Sequence, residues 1–125
     1  MLLVDIDVMI DYLRGHAAAV AFVKRHADRI ALSAIVVAEL YAGVRGDEER
    51  ATLDELIGLF PIVPIDGQTA CTGGLFKRDY GKSHGVGLAD AMIAATAVEK
   101  QADLATLNVK HYPMLSDLKP AYRKR

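Results

Sequence analysis

Leu2-Leu3-Val4-Asp5-Ile6-Asp7-Val8-Met9-Ile10 is the stretch on which the fold turns. An unbroken apolar triplet reads as a short strand buried on both faces, the habit of a parallel sheet covered by helices. The run stops at a carboxylate, Asp5. Val8 to Leu13 then reads as a short helix, with Asp7 as its candidate N-cap and Gly15 as its stop. The chain therefore opens with a strand feeding a helix.

The same alternation continues outward. Ala17 to His26 is alanine-rich and helical in pattern. Arg29-Ile30-Ala31-Leu32 reads as a second strand, after which Ser33 caps a helix running to about Gly43. Asp47 is the expected cap of a helix from Glu48 to Leu59, with Leu53, Leu56, Ile57 and Phe60 on one stripe. Pro61-Ile62-Val63-Pro64-Ile65 reads as a third strand whose prolines suit a sheet edge. Asp66 caps a helix reaching about Tyr80, and the glycines between Gly81 and Gly87 suggest a loop. Leu88 to Gln101 is a strongly patterned helix, and Leu104-Ala105-Thr106 a fourth strand. The tail after Pro113 could add an edge strand, and Tyr122-Arg123-Lys124-Arg125 reads as solvated and mobile. Strands alternating with helices predict an α/β fold: a three-layer α/β/α sandwich around a short central parallel sheet, with residues 1–125 as one domain.

Composition narrows the function. Apolar residues make up 52% of the 125 residues and charged residues 25%, with a net charge of −1. This suits a packed globular domain and excludes a strongly basic module that coats nucleic acid through phosphate contacts alone. A nuclease is still allowed, because bound cations supply positive charge where a phosphate sits. The single cysteine, Cys71, can form no internal disulfide and is expected to be packed within a helix, which fits a reducing cytoplasm. The start meets a carboxylate too early for a secretory leader, and no apolar run suffices to span a bilayer.

In open parallel sheets ligands bind beyond the carboxyl ends of the strands. Asp5, Ser33 and Asn108 follow the first, second and fourth strands. Glu39 lies two turns into its helix and Asp90 in the first turn of another. Carboxylates gathered without a counter-charge repel one another. A hard divalent cation such as Mg²⁺ or Mn²⁺ resolves that repulsion, and can assist water to attack a phosphodiester. Each residue also has an ordinary structural reading. Asp7 could simply cap a helix, Asp90 could answer a helix dipole, and Asn108 could be a turn residue. Glu39 could face either solvent or a site.

Four stretches together are specific. Leu2 to Asp11 resembles the opening of PIN-domain nucleases, most closely the VapC toxins of prokaryotic toxin–antitoxin pairs. Ser33 to Gly43 resembles the second motif, with Glu39 as its acid. Gly87 to Ala97 is similar to the third, with Asp90, and Leu104 to Pro113 to the fourth, with Asn108. The motifs run from end to end of the chain, in family order.

The resemblance implies an endoribonuclease with Asp5, Glu39 and Asp90 as metal ligands and Asn108 as a neutral fourth member. Thr106 would orient that end of the site. Ile6 and Asp7 stand where the family carries a hydroxyl residue and an asparagine, so Asp7 is expected as a cap or supporting group rather than a ligand, with Ser33 also in support. The implied cofactor is Mg²⁺, with Mn²⁺ able to substitute. The implied partners are RNA, a VapB-like antitoxin whose tail lies across the site, and a second copy in a homodimer. Lys77, Arg78, Lys82, Lys110 and Arg123 are candidates for phosphate contact.

Two other readings compete. Asp5-Ile6-Asp7 also matches the first motif of haloacid-dehalogenase-type phosphatases, in which the first Asp is a nucleophile. A PIN domain could also act in RNA processing without being a toxin, or as an inert scaffold.

Overall fold

A computed structural model describes residues 1–123. Its strands are β1 (Leu2–Val4), β2 (Ile30–Ser33), β3 (Ile62–Val63) and β4 (Asp103–Ala105), all paired in parallel in the order β3-β2-β1-β4. Leu3 aligns with Ala31 on one side and Leu104 on the other. The first strand is thus central, and its three residues are all buried, as an unbroken apolar run requires. β3 is an edge, where Pro61 and Pro64 cost no internal ladder bond.

Helices α1 (Ile6–Leu13), α2 (Ala17–His26), α3 (Ala34–Ala42), α4 (Gly46–Ile57), α5 (Gly67–His84) and α6 (Leu88–Glu99) flank the sheet, as expected of the α/β/α sandwich. Leu3, Val4, Val8, Met9, Leu32, Val36 and Ile93 form its core. The caps at Ser33 and Asp66 form as read: the Ser33 hydroxyl accepts from Val36 N at 3.2 Å, and Asp66 accepts from Thr69 N at 2.8 Å. α5 and α6 pack closely at Gly73, where an added Cβ would stand 3.3 Å from Met92 Cα and collide with its sulfur.

Several boundaries differ from the sequence reading. α1 begins at Ile6 and its cap is Asp5, not Asp7. α4 begins at Gly46 with Arg45 at its cap position, so Asp47 lies in the first turn beside Glu48 and Glu49, where three acids face the positive end of the helix dipole. α5 runs on to His84. Gly81 continues the helix, packed under the Lys77 side chain, and the left-handed stop falls at Gly85 (φ 65°). Cys71 is exposed on α5 rather than packed.

The segment after Pro113 adds no strand among the described residues. It crosses back instead: Ala121 N donates to Thr106 O at 2.9 Å, and the Tyr122 hydroxyl donates to buried Asp11 on α1 at 2.7 Å. Tyr122 is therefore half-buried and held, while Arg123 is exposed. Lys124 and Arg125 lie outside the described residues.

Candidate active site

The strand order reverses direction at β1, with β2 on one side and β4 on the other. In parallel sheets the carboxyl ends flanking such a switch diverge and leave a crevice. Asp5 leaves β1 there, and Thr106 leaves β4 beside it. Asp5 N donates to Ala105 O at 2.9 Å, which keeps the two chain ends together.

Asp5 is 2% exposed, and both of its oxygens are engaged. Oδ1 accepts from Ile6 N at 2.8 Å. Oδ2 accepts from the Thr106 hydroxyl at 2.8 Å and the Tyr112 hydroxyl at 2.7 Å. A buried carboxylate needs such donors, since the loss of water would otherwise force it to take a proton. This environment does not suit a nucleophile, which must be open to its substrate, and it counts against the phosphatase reading.

Asp7 is a brace. Its Oδ1 accepts from Val8 N at 2.8 Å, and its Oδ2 from Leu107 N at 2.9 Å, with the Thr106 hydroxyl 3.4 Å away. It ties the first turn of α1 to the chain leaving β4. Burial, and then the charge of Asp5, push its carboxyl above the usual range, against the pull of those hydrogen bonds.

Asp90 sits in the first turn of α6. Its Oδ1 lies 3.3 Å from the Tyr112 hydroxyl and its Oδ2 lies 3.4 Å from His111 Nδ1. Burial and then Asp5 raise its pKa, while His111 and Tyr112 pull it down. Glu39, on α3, is raised by burial first, then by Asp5 and by Asp90. The fold therefore brings Asp5, Glu39 and Asp90 within electrostatic reach of one another.

The other residues singled out in the sequence divide. The Thr106 hydroxyl is completely buried and also accepts from Asn108 N at 3.1 Å. The Asn108 side chain is exposed. The Ser33 hydroxyl is committed to capping α3. Lys77 Nζ donates to Val86 O at 2.9 Å and Arg78 pairs with Asp79 at 2.8 Å, so both have local partners. Lys82, Lys110 and Arg123 are exposed. Sequence reasoning missed Tyr112 and His111, which lie in the fourth stretch but carry no distinguishing pattern beside the chain's other tyrosines and histidines.

The donor set can be tested against a divalent cation. Glu39 Oε1 is buried with no hydrogen-bond partner, an orphaned oxygen that costs free energy as it stands. The remaining donors are hard carboxylate oxygens, the kind that Mg²⁺ and Mn²⁺ prefer. Among the described residues no three His, Cys, Asp or Glu side chains close into a ready-made metal cage. A cation that keeps several waters and uses one or two carboxylates needs no such cage. The residues fit the cation.

A parallel α/β/α sheet with acids converging at its central switch is the architecture of one nuclease class, and the chain belongs to it: the PIN domain family model matches residues 2–112. Within that family the chain is similar along nearly all its length to VapC ribonucleases. It is 39% identical over 126 residues to Ribonuclease VapC19 of Mycobacterium tuberculosis, covering 98% of this chain and 100% of that one. It is 41% identical over 125 residues to Ribonuclease VapC10 of the same organism, covering 98% and 93%. Among solved structures, a toxin–antitoxin complex from Klebsiella pneumoniae has the same fold, with a TM-score of 0.85 at 22% identity over 99% of this chain and 100% of that one.

Proposed function

We propose that this chain is a divalent-metal-dependent endoribonuclease, acting through a single nuclease domain over residues 1–125, and the toxin of a VapBC-type toxin–antitoxin pair. The observation that carries the chemistry is the partnerless buried oxygen of Glu39, whose pKa is raised by burial first and then by the charges of Asp5 and Asp90. Carboxylates gathered this closely are costly without a counter-charge. The toxin reading rests on similarity to VapC ribonucleases over nearly the whole chain. It ranks above a general RNA-processing role for that reason.

Asp5, Glu39 and Asp90 would hold the cation, one or two of them directly and the rest through its waters, with Mg²⁺ the expected ion and Mn²⁺ able to replace it. When bound, the cation supplies positive charge that draws in the scissile phosphate and eases the deprotonation of water. The protein's own groups do the rest. Thr106 and Tyr112 fix the direction of the Asp5 carboxylate, and Asp7 clamps the two chain ends that carry it. Asn108, exposed next to Thr106, would contribute a neutral side-chain oxygen. Water adds to phosphorus and the bond to the leaving ribose oxygen breaks. Of the cations singled out in the sequence, Lys82, Lys110 and Arg123 are exposed and would meet flanking phosphates.

The partners are single-stranded or looped RNA, whose exposed bases and backbone can enter a surface site, a cognate VapB-like antitoxin, and a second copy of the chain. No helix among the described residues is long and apolar enough to cross a membrane. A cytoplasmic location follows from the toxin reading.

The test is cleavage of total cellular RNA by the wild type and by Asp90→Asn, with Mn²⁺ and with EDTA. Discrete cleavage by the wild type alone, abolished by EDTA, is the expected result. Asp90→Asn should lose more than the roughly 10–100-fold that removal of an outer metal-site partner costs. Equal cleavage by the two proteins, or cleavage that persists in EDTA, rejects the assignment.

A further inference from the structure

Tyr112 is 1% exposed, and its ring is part of the hydrophobic core. Phenylalanine would serve that packing equally well. A hydroxyl in such a place needs partners, and the partners here are both site acids. It donates to Asp5 Oδ2 at 2.7 Å and stands 3.3 Å from Asp90 Oδ1, joining a carboxylate at the end of β1 to one in the first turn of α6. On its other side Asp5 Oδ2 receives Thr106, and Oδ1 receives Ile6 N. Three donors thus set the direction of Asp5, and an ionised carboxylate offers about four acceptor positions, so one remains for a ligand.

We propose that the Tyr112 hydroxyl is a positioning group of the cation site: set between Asp5 and Asp90, it holds the two carboxylates in register for a divalent ion. The inference rests on the metal-dependent reading above. Without the hydroxyl the like charges of Asp5 and Asp90 have no shared donor and move apart, and the ion must reassemble them on binding. Tyr112 acts through the two acids and is not itself a ligand.

Tyr112→Phe keeps the ring and removes the oxygen. Calorimetric titration with Mn²⁺ alone, in the absence of RNA, should give a Kd about tenfold weaker than the wild type, at the low end of what supporting groups contribute to metal affinity. In RNA cleavage the variant should need correspondingly more Mn²⁺ for half-maximal rate, with a smaller change in the rate at saturation. A purely structural role would lower the thermal midpoint and leave the Mn²⁺ Kd alone. The wild type provides a second measurement that does not depend on the variant folding. The chain has five tyrosines and no tryptophan, so its tyrosine absorption is uncluttered. Mn²⁺ binding should produce a tyrosine difference spectrum that saturates with the calorimetric isotherm.

A Kd within about twofold of wild type overturns this inference alone. Tighter binding by Tyr112→Phe also overturns it, since the hydroxyl would then compete with the ion. The same holds if Mn²⁺ binds the wild type without any tyrosine signal. A wild type that binds no Mn²⁺ while remaining folded overturns the metal reading itself, and this inference with it.

Discussion

Replacing Thr106 with valine isolates one contact at the centre of the site. The side chains have nearly the same shape, and position 106 is completely buried, so packing is largely kept. The hydroxyl is lost. It donates to Asp5 Oδ2 at 2.8 Å and accepts from Asn108 N at 3.1 Å. A hydrogen bond to a charged group contributes about 1.5–3 kcal/mol, and a methyl in its place leaves part of a buried carboxylate desolvated. The Asn108 N–H, in a part-buried position, also loses its acceptor. Asp5 keeps Tyr112 and Ile6 N, and the extra methyl buries slightly more apolar surface, so the net loss is about 2 kcal/mol. For a chain of this length that is a fall of roughly 8 °C in Tm, at about 4 °C per kcal/mol. The assay is thermal unfolding in EDTA, followed by circular dichroism, with Thr106→Ser as the restoring control. A fall of less than about 2 °C in Thr106→Val would refute the view that Asp5 depends on this donor.

Two further outcomes follow from the same contacts. Tyr122→Phe removes one donor from buried Asp11 and loosens the tail that crosses back to Thr106, so urea unfolding should show a loss of about 1–2 kcal/mol; an unchanged midpoint would mean the tail adds nothing. The metal-free protein should also respond to pH in a defined direction. Asp7, Glu39 and Asp90 have folded-state pKa values raised above the ordinary 3.8, 4.5 and 3.8, so the folded state holds more protons than the unfolded chain. Stability in EDTA therefore falls as pH rises from those ordinary values through the raised ones, the reverse of a salt-bridged carboxylate. Comparing the wild type with Asp90→Asn between about pH 4 and pH 7 separates this from Asp66, whose pKa is lowered. The variant should have the shallower slope, and equal slopes would contradict a raised Asp90, whose shift comes from burial first and then from Asp5.

Much of this molecule is written locally. Leu2-Leu3-Val4 reads as a buried strand because a strand covered on both faces has no polar side to show. Ser33 and Asp66 read as caps because a short oxygen-bearing side chain before a helix finds an unpaired N–H within three residues. Asp5, Glu39 and Asp90 stand out in the chain because each sits within a patterned motif, and the fold does bring them within reach of one another. Such features depend on neighbours a few residues away, which a sequence displays directly.

Other features required the chain to be folded. Asp5 rather than Asp7 caps α1, because the chain leaving β4 takes up the Asp7 carboxylate. Lys77, a candidate for RNA contact by its charge, donates to the Val86 carbonyl, since α5 continues past Gly81 and stops only at Gly85. The Tyr112 hydroxyl meets Asp5 across 107 positions of sequence, and Tyr122 meets Asp11 across 111. Local pattern settles which runs are strands and roughly where the helices lie, although α1 and α4 begin earlier than their caps suggested. Which hydroxyl faces which carboxylate is settled by folding. That pairing depends on the order β3-β2-β1-β4, which sets β4 beside β1 and carries its trailing chain over the acids.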